Sequence, residues 1–190
     1  QKRFMRIVVA GAGAVGKHLA KLLSREDMDI SLIDESQERL GDLDANYDLL
    51  TKVGSPTSIH DLKDLGIKDT DLFVAVTPSE PENITACMIA KQLGAKKTLA
   101  RIDNFEYLRP ENKAIFEKMG LNQMIYPEVL AAYEIVSSLE TNWMRYHLSL
   151  CEGKLELCVL KVRSGADVIG HTFMSGYYDH GAYRVVAIKR

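Results

Sequence analysis

The stretch VVAGAGAVGKHLAKLL, Val8 to Leu23, sets Gly11, Gly13 and Gly16 between an apolar run and a segment of helical period. A G-x-G-x-x-G spacing at such a strand-to-helix junction is the signature of a βα turn that cradles a dinucleotide pyrophosphate. Each glycine has a mechanical reason. The first makes the tight turn, the second lets the pyrophosphate approach the backbone, and the third packs helix on strand. The intervening Ala12, Ala14 and Val15 carry the chain into the helix, whose free N–H groups and dipole then face the phosphates.

About 20 positions on, Asp34 closes a second apolar run, as the same fingerprint requires. Its carboxylate can accept both ribose hydroxyls of an adenosine and would repel a 2′-phosphate, which favours NAD(H) over NADP(H). The plainer reading of Asp34 is a helix-capping or solvated carboxylate, and the residue type suits both.

Outward from this unit, short β-branched runs alternate with helical segments from Met5 to about Tyr126, a pattern of βαβ units around a parallel sheet. Strands are expected at Arg6–Ala10, Ile30–Asp34, Tyr47–Val53, Leu72–Thr77, Thr98–Ile102 and Gln123–Tyr126. Helices are expected at Val15–Ser24, from Ser36 to about Ala45, from Ser58 to Gly66, at Glu82–Leu93 and from Pro110 to Gly120, with Ser, Pro and Gly marking their ends. The fold class that follows is α/β, a doubly wound six-stranded Rossmann sheet of order 3-2-1-4-5-6.

After Pro127, the segment Glu128–Asn142 carries apolar residues over more than one stripe, so it is expected to pack on its own domain and on a second surface. Tyr146–Cys151, Leu155–Val162 and Tyr183–Ile188 then read as strands of a partial α+β subdomain, cut short or completed by a partner chain. The organisation expected is a nucleotide-binding domain over 5–127, a crossover and dimerisation helix over 128–142, and a partial C-terminal subdomain over 146–190.

Composition narrows the partners. A net charge of −2 over 190 residues, with Lys and Arg scattered among Asp and Glu, gives no nucleic-acid stripe. No apolar run approaches the roughly 20 residues of a membrane span, no signal-peptide core follows Gln1–Phe4, and Met5 reads as a start. Three cysteines without a CxxC pair, and five histidines without ligand spacing, suggest a reducing compartment and no metal site.

Ligands of such sheets sit outside the carboxyl ends of the strands, here Gly54-Ser55, Thr77-Pro78-Ser79 and Arg101-Ile102-Asp103. Arg101 closes an otherwise apolar strand and has two readings, a phosphate contact or a salt bridge with Asp103 or Glu106. No nucleophile, paired carboxylates or phosphate-binding GxxxxGK[ST] loop is assembled, and little chain remains for a substrate pocket. The expectation is a binding module rather than an enzyme, with a small NAD-dependent oxidoreductase and an assembly domain with a dead cleft as the competing readings.

The runs MRIVVAGAGAVGKHLAKLL, SLIDESQERL and VGSPTSIHDLKDLGIKDTDLFVAVTPSEPENITACMIAKQLGAKKTLARIDNFEY together resemble the RCK (regulator of potassium conductance, TrkA-N) domain family of bacterial Trk potassium-uptake regulators. The resemblance runs from Met5 to about Leu139 and more weakly through Ile169-Gly170 and Val185–Arg190. It implies a cytoplasmic nucleotide sensor, peripheral at the inner face of the membrane. Such a sensor would bind NAD(H) or ATP/ADP, pair through the sixth strand and following helix, and assemble as a homodimer and higher ring under a Trk-type membrane channel subunit. Carried over by position, Gly11, Gly13 and Gly16 hold the pyrophosphate, and Asp34 with its neighbour Glu35 the adenosine ribose. Arg39 and Gly54-Ser55 serve the adenine side, and Thr77 and Arg101 the far phosphates or nicotinamide half. Two departures stand out: Ser55 where the family often has Asp, and Ala14 where ATP-gated relatives can carry arginine, which favours a dinucleotide.

Overall fold

Six β-rich segments pair side by side, the central ones apolar on both faces so that helices can cover them above and below, the edge ones more polar. In the computed structural model, which describes residues 4–26, 28–44, 47, 49–140, 144–151, 153–172 and 183–188, these are β1 (Met5–Ala10), β2 (Met28–Asp34), β3 (Leu50–Val53), β4 (Leu72–Ala75), β5 (Lys97–Arg101) and β6 (Gln123–Ile125). They form one sheet of order β3-β2-β1-β4-β5-β6, and every neighbouring pair is parallel. The strand order and class are those read from the sequence.

Connections are made by α1 (Ala14–Leu23), α2 (Gln37–Asp44), α3 (Ile59–Asp64), α4 (Glu80–Gln92) and α5 (Pro110–Lys118), and α6 (Pro127–Glu140) follows the last strand. Alternate residues of β1 feed two apolar layers, as the two-residue period of a strand dictates. Ile7 and Val9 pack with Ala20, Leu40 and Leu43 of α1 and α2. Val8 and Ala10 pack with Leu62, Ala86, Cys87 and Ala90 of α3 and α4. The chain therefore switches faces between β1 and β4, and the crevice of a doubly wound sheet opens at that point.

Burial in the second layer pushes the Cys87 thiol up to about 12, so at neutral pH it is a small hydrophobe and not a nucleophile.

Two strand expectations differ from the structure. Tyr47–Val53 shortens to Leu50–Val53, because pairing with β2 begins only at the Ser31–Leu50 register. Tyr47 instead packs against the α1–α2 layer, with Lys21 Nζ 5.2 Å from its ring centroid. Tyr183–Ile188 has no regular secondary structure. Among the described residues its alternating pattern has no ladder, and β7 (Met144–Leu150) and β8 (Leu155–Leu160) pair antiparallel as a two-stranded sheet. Asn142, the expected end of the long helix, lies outside the described residues, and α6 is described to Glu140. By compactness the chain divides into two units, Gln1–Ala132 and Tyr133–Arg190, a division that falls within α6.

Candidate functional site

The glycines of the β1–α1 turn separate into two kinds. Gly11 takes φ +104°, and a Cβ there would lie 2.9 Å from the Thr77 backbone nitrogen. A Cβ on Gly16 would fall 1.8 Å from the Gly11 carbonyl oxygen. Strand, turn and helix already require glycine at these two positions. Gly13 differs: it is the N-cap of α1 in extended backbone (φ −72°, ψ −172°), without a side-chain cap, and a Cβ there meets nothing within 4 Å. Internal packing gives no reason for glycine at 13, whereas a ligand lying against the backbone does.

Asp34 is buried at the end of β2, and its two oxygens are both engaged. Oδ2 accepts the Ala12 N–H at 2.6 Å and Oδ1 accepts the Ser36 N–H at 2.8 Å. The carboxylate thus ties the glycine turn to β2 and holds the Ser36 N–H in the turn before α2, while the side-chain cap of α2 is Ser36 itself, whose Oγ accepts the Arg39 N–H at 3.3 Å, as the sequence suggested. Spare lone pairs remain, because a carboxylate offers about four acceptor directions. The half-exposed Arg39 guanidinium stands 3.7 Å from Oδ2.

Beside these groups a cleft is lined by Gly11, Asp34, Glu35, Arg39, Pro56, Thr77, Pro78 and Glu82. Its enclosed part measures about 80 Å³, room for a few waters, so a dinucleotide would lie along the open groove it belongs to. Ala12 is buried behind the turn, while Ala14 and Val15 are exposed on the first turn of α1. Gly54 donates its N–H to the Asp34 carbonyl at 3.0 Å. Ser55 is held by Asp61 Oδ2 at 3.0 Å and by Thr57 Oγ1 at 3.1 Å, and it is Pro56 that this loop turns to the cleft. Arg101 lies away from the lining and pairs with Asp103 at 3.3 Å, the salt-bridge reading. Its buried Nε makes no hydrogen bond.

Sequence reasoning missed the group that organises this end of the sheet. Asn83, buried in the first turns of α4, accepts the Thr77 N–H at 2.9 Å and the Thr77 hydroxyl at 2.8 Å through Oδ1. Its Nδ2 donates to the Thr77 and Arg101 carbonyls, both at 3.0 Å. One amide therefore satisfies backbone groups at the ends of both β4 and β5. Nearby, Glu80 Oε2 accepts the N–H groups of Asp103 and Asn104 at 2.6 and 2.7 Å. The legible signal was an Asn on the same face as Ala86, Cys87 and Ala90, where a buried amide must be satisfied.

Among the described residues, His60, Asp61 and Asp64 approach one another closely enough to suggest a metal. Lys52 Nζ, 3.0 Å from Asp64 and 3.9 Å from Asp61, already supplies the cation there. That pairing, together with His60, holds the exposed Asp64 carboxyl below its ordinary range.

Residues 7–127 match the model of the TrkA-N domain. The Trk system potassium uptake protein TrkA of Haemophilus influenzae is 34% identical over 98% of this chain and 42% of that protein, so the chain spans about two fifths of that relative's length. Among solved structures, the TrkA-N domain of the Escherichia coli inner membrane protein ybaL superposes with a TM-score of 0.62 at 17% identity, covering 73% of this chain and 99% of that one. The GsuK channel bound to NAD superposes at 0.53 and 18% identity, over 66% of this chain and 22% of that one. These likenesses cover the sheet and its helices, and with the family match they place the chain: it belongs to the TrkA-N domain family.

Proposed function

We propose that this chain is the nucleotide-sensing part of a potassium-uptake regulator, with NAD(H), or ATP/ADP, bound at the carboxyl end of the sheet. The observation that carries the reading is Gly13, a glycine facing open space at the N-terminus of α1, one strand away from the Asp34 carboxylate. The pyrophosphate runs along Gly11 to Gly16. The adenosine ribose sits on Asp34 beside Glu35 and Arg39, the adenine lies toward Gly54-Ser55, and the far half reaches toward Thr77. Arg101 joins only by leaving Asp103, a weak exposed pair. The relatives named for potassium uptake, and the GsuK channel solved with NAD, support this choice of ligand and role.

Titrating NADH, NAD, ATP and ADP while following thermal unfolding tests it. A ligand selective for the folded state stabilises by about 2.7 kcal/mol at a hundred times its Kd, a rise of several degrees in Tm. That rise is expected for NADH and is expected to disappear in Asp34→Ala, whatever that variant's own starting Tm. No rise with any of the four nucleotides leaves only an assembly domain. Turnover of NADH with carbonyl substrates by the pure protein favours an oxidoreductase instead.

The regulatory role needs a second copy and a membrane partner. No helix among the described residues is long and apolar enough to cross a membrane, and the reading assigns the pore to the membrane partner. Along α6, Leu130, Tyr133, Ile135, Val136 and Leu139 are more than half exposed, a face suited to pairing copies of the chain. The domain plan is the nucleotide-binding fold over 5–127, a pairing helix over 128–142 and a C-terminal piece over 146–190. Wild type is expected to scatter light as a dimer and Tyr133→Asp as a monomer; a dimeric Tyr133→Asp variant removes α6 as the interface. A ligand then shifts the assembly only by its difference in affinity for two arrangements.

A further inference from the structure

The cleft carries one charged group that neither the fold nor the ribose contact uses. Glu82 lies in the first turn of α4, its backbone N–H held by Ser79 Oγ at 3.4 Å. Its half-buried carboxylate lines the cleft and has no ion pair or hydrogen bond among the described residues. Asp34, by contrast, is already engaged by two backbone N–H groups, and Arg39 stands beside it. Glu35, the remaining acidic wall residue, is exposed.

Pro56 and Pro78 line the same cleft from the two loops that flank Asp34 and Glu82. Their rings offer apolar C–H surface, suited to the face of a heteroaromatic base and indifferent to which base it is. Selectivity must then come from the base edge, and the unpartnered group there is a carboxylate. Ionised, it only accepts hydrogen bonds. Adenine presents a donor amino group at position 6, whereas hypoxanthine and guanine present a carbonyl oxygen at that position.

Resting on the nucleotide reading above, we infer that Glu82 determines base specificity, accepting a hydrogen bond from the 6-amino group on the N6/N7 edge of adenine and rejecting 6-oxopurines, which on that edge present only the O6 and N7 acceptors, their N1–H lying on the Watson–Crick side. A hydrogen bond to a charged group that the competitor cannot make, discounted for half exposure, corresponds to roughly a ten- to thirtyfold preference.

Calorimetric titration of the full chain with ADP and with IDP measures this directly, because the two ligands carry the same charge and differ only in the base, an amino group against a carbonyl at position 6 and an acceptor N1 against a donor N1–H. Wild type is expected to bind ADP at least about tenfold more tightly. In Glu82→Gln the amide can accept from an amino group or donate to a carbonyl, so the ratio is expected to fall below about threefold with ADP binding retained. Retained ADP binding also certifies that the variant is folded. The same collapse is expected between NAD and its hypoxanthine analogue. A wild type indifferent to the base, or a Glu82→Gln variant that keeps the wild-type ratio, overturns the inference while leaving the nucleotide site standing. Equal strengthening of ADP and IDP in Glu82→Gln, the signature of simple charge repulsion, also overturns it. Wild type that binds neither ADP nor NAD removes the site itself and this inference with it.

Discussion

Gly16→Ala is expected to cost at least about 3 kcal/mol of folding stability or to leave the chain insoluble. Alanine in the middle of an exposed helix normally gains up to about 1 kcal/mol over glycine, so the expected sign is reversed. The reason is the 1.8 Å separation between a Cβ at 16 and the Gly11 carbonyl oxygen. That oxygen belongs to backbone, and it cannot turn aside as the end of a side chain can. Either α1 lifts from the sheet or the β1–α1 turn unwinds, and each route breaks packing around Ala20 and Val76 in the same layer. Urea unfolding followed by circular dichroism reads the loss as a lower midpoint. Gly41→Ala in α2 is the internal control, since a Cβ there meets nothing within 4 Å, and it is expected to match or exceed wild type. A Gly16→Ala midpoint equal to that of wild type would mean that helix and turn do not approach this closely.

Gly13→Val is expected to do the opposite. Its backbone is extended and its surroundings are open, so a β-branched residue fits there without strain and folding stability is expected to stay within about 1 kcal/mol of wild type. The valine side chain instead occupies the space where the pyrophosphate of the proposed site would come within hydrogen-bond distance of the N–H groups of α1. Nucleotide affinity is expected to fall by about a hundredfold or more, read as loss of the NADH-induced rise in Tm. A variant that is stable and still shifts with NADH would show that the phosphates lie elsewhere. Taken together, the two substitutions separate what glycine does for the fold from what it does for a ligand, within one turn of one helix.

How much of this was legible before the structure depends on whether a residue's role is local or distant. The strand order and the glycine turn were readable because both rest on local patterns, apolar runs of strand length and a spacing at a strand–helix junction. Asp34 was readable as an acid at the end of β2. That it serves the Ala12 N–H was not, because the bond spans 22 positions and depends on the β1–β2 register. Asn83 escaped for the same reason: its partners at 77 and 101 become neighbours only when β4 and β5 pair. Thr77-Pro78-Ser79 was readable as a strand end facing the ligand, whereas Pro56 was not singled out, and only the closure of the sheet sets it with Pro78 on one cleft. Tyr183–Ile188 errs in the other direction, since alternation records a preference for strand and a strand also needs a neighbour to bond.

The amide of Asn83 has a consequence for how a signal could leave this fold. By joining the ends of β4 and β5, it couples the cleft wall at Thr77, through three hydrogen bonds, to the Arg101 carbonyl, through a fourth, and Glu80 fastens the following loop to the same helix. A crevice rim cross-tied in this way has little give of its own. Occupancy of the cleft would therefore be broadcast as the displacement of an intact lever, with the compliance located in the connections beyond it. In the proposed sensor, loosening the tie rather than emptying the site is then the way to obtain a protein that binds nucleotide without responding to it.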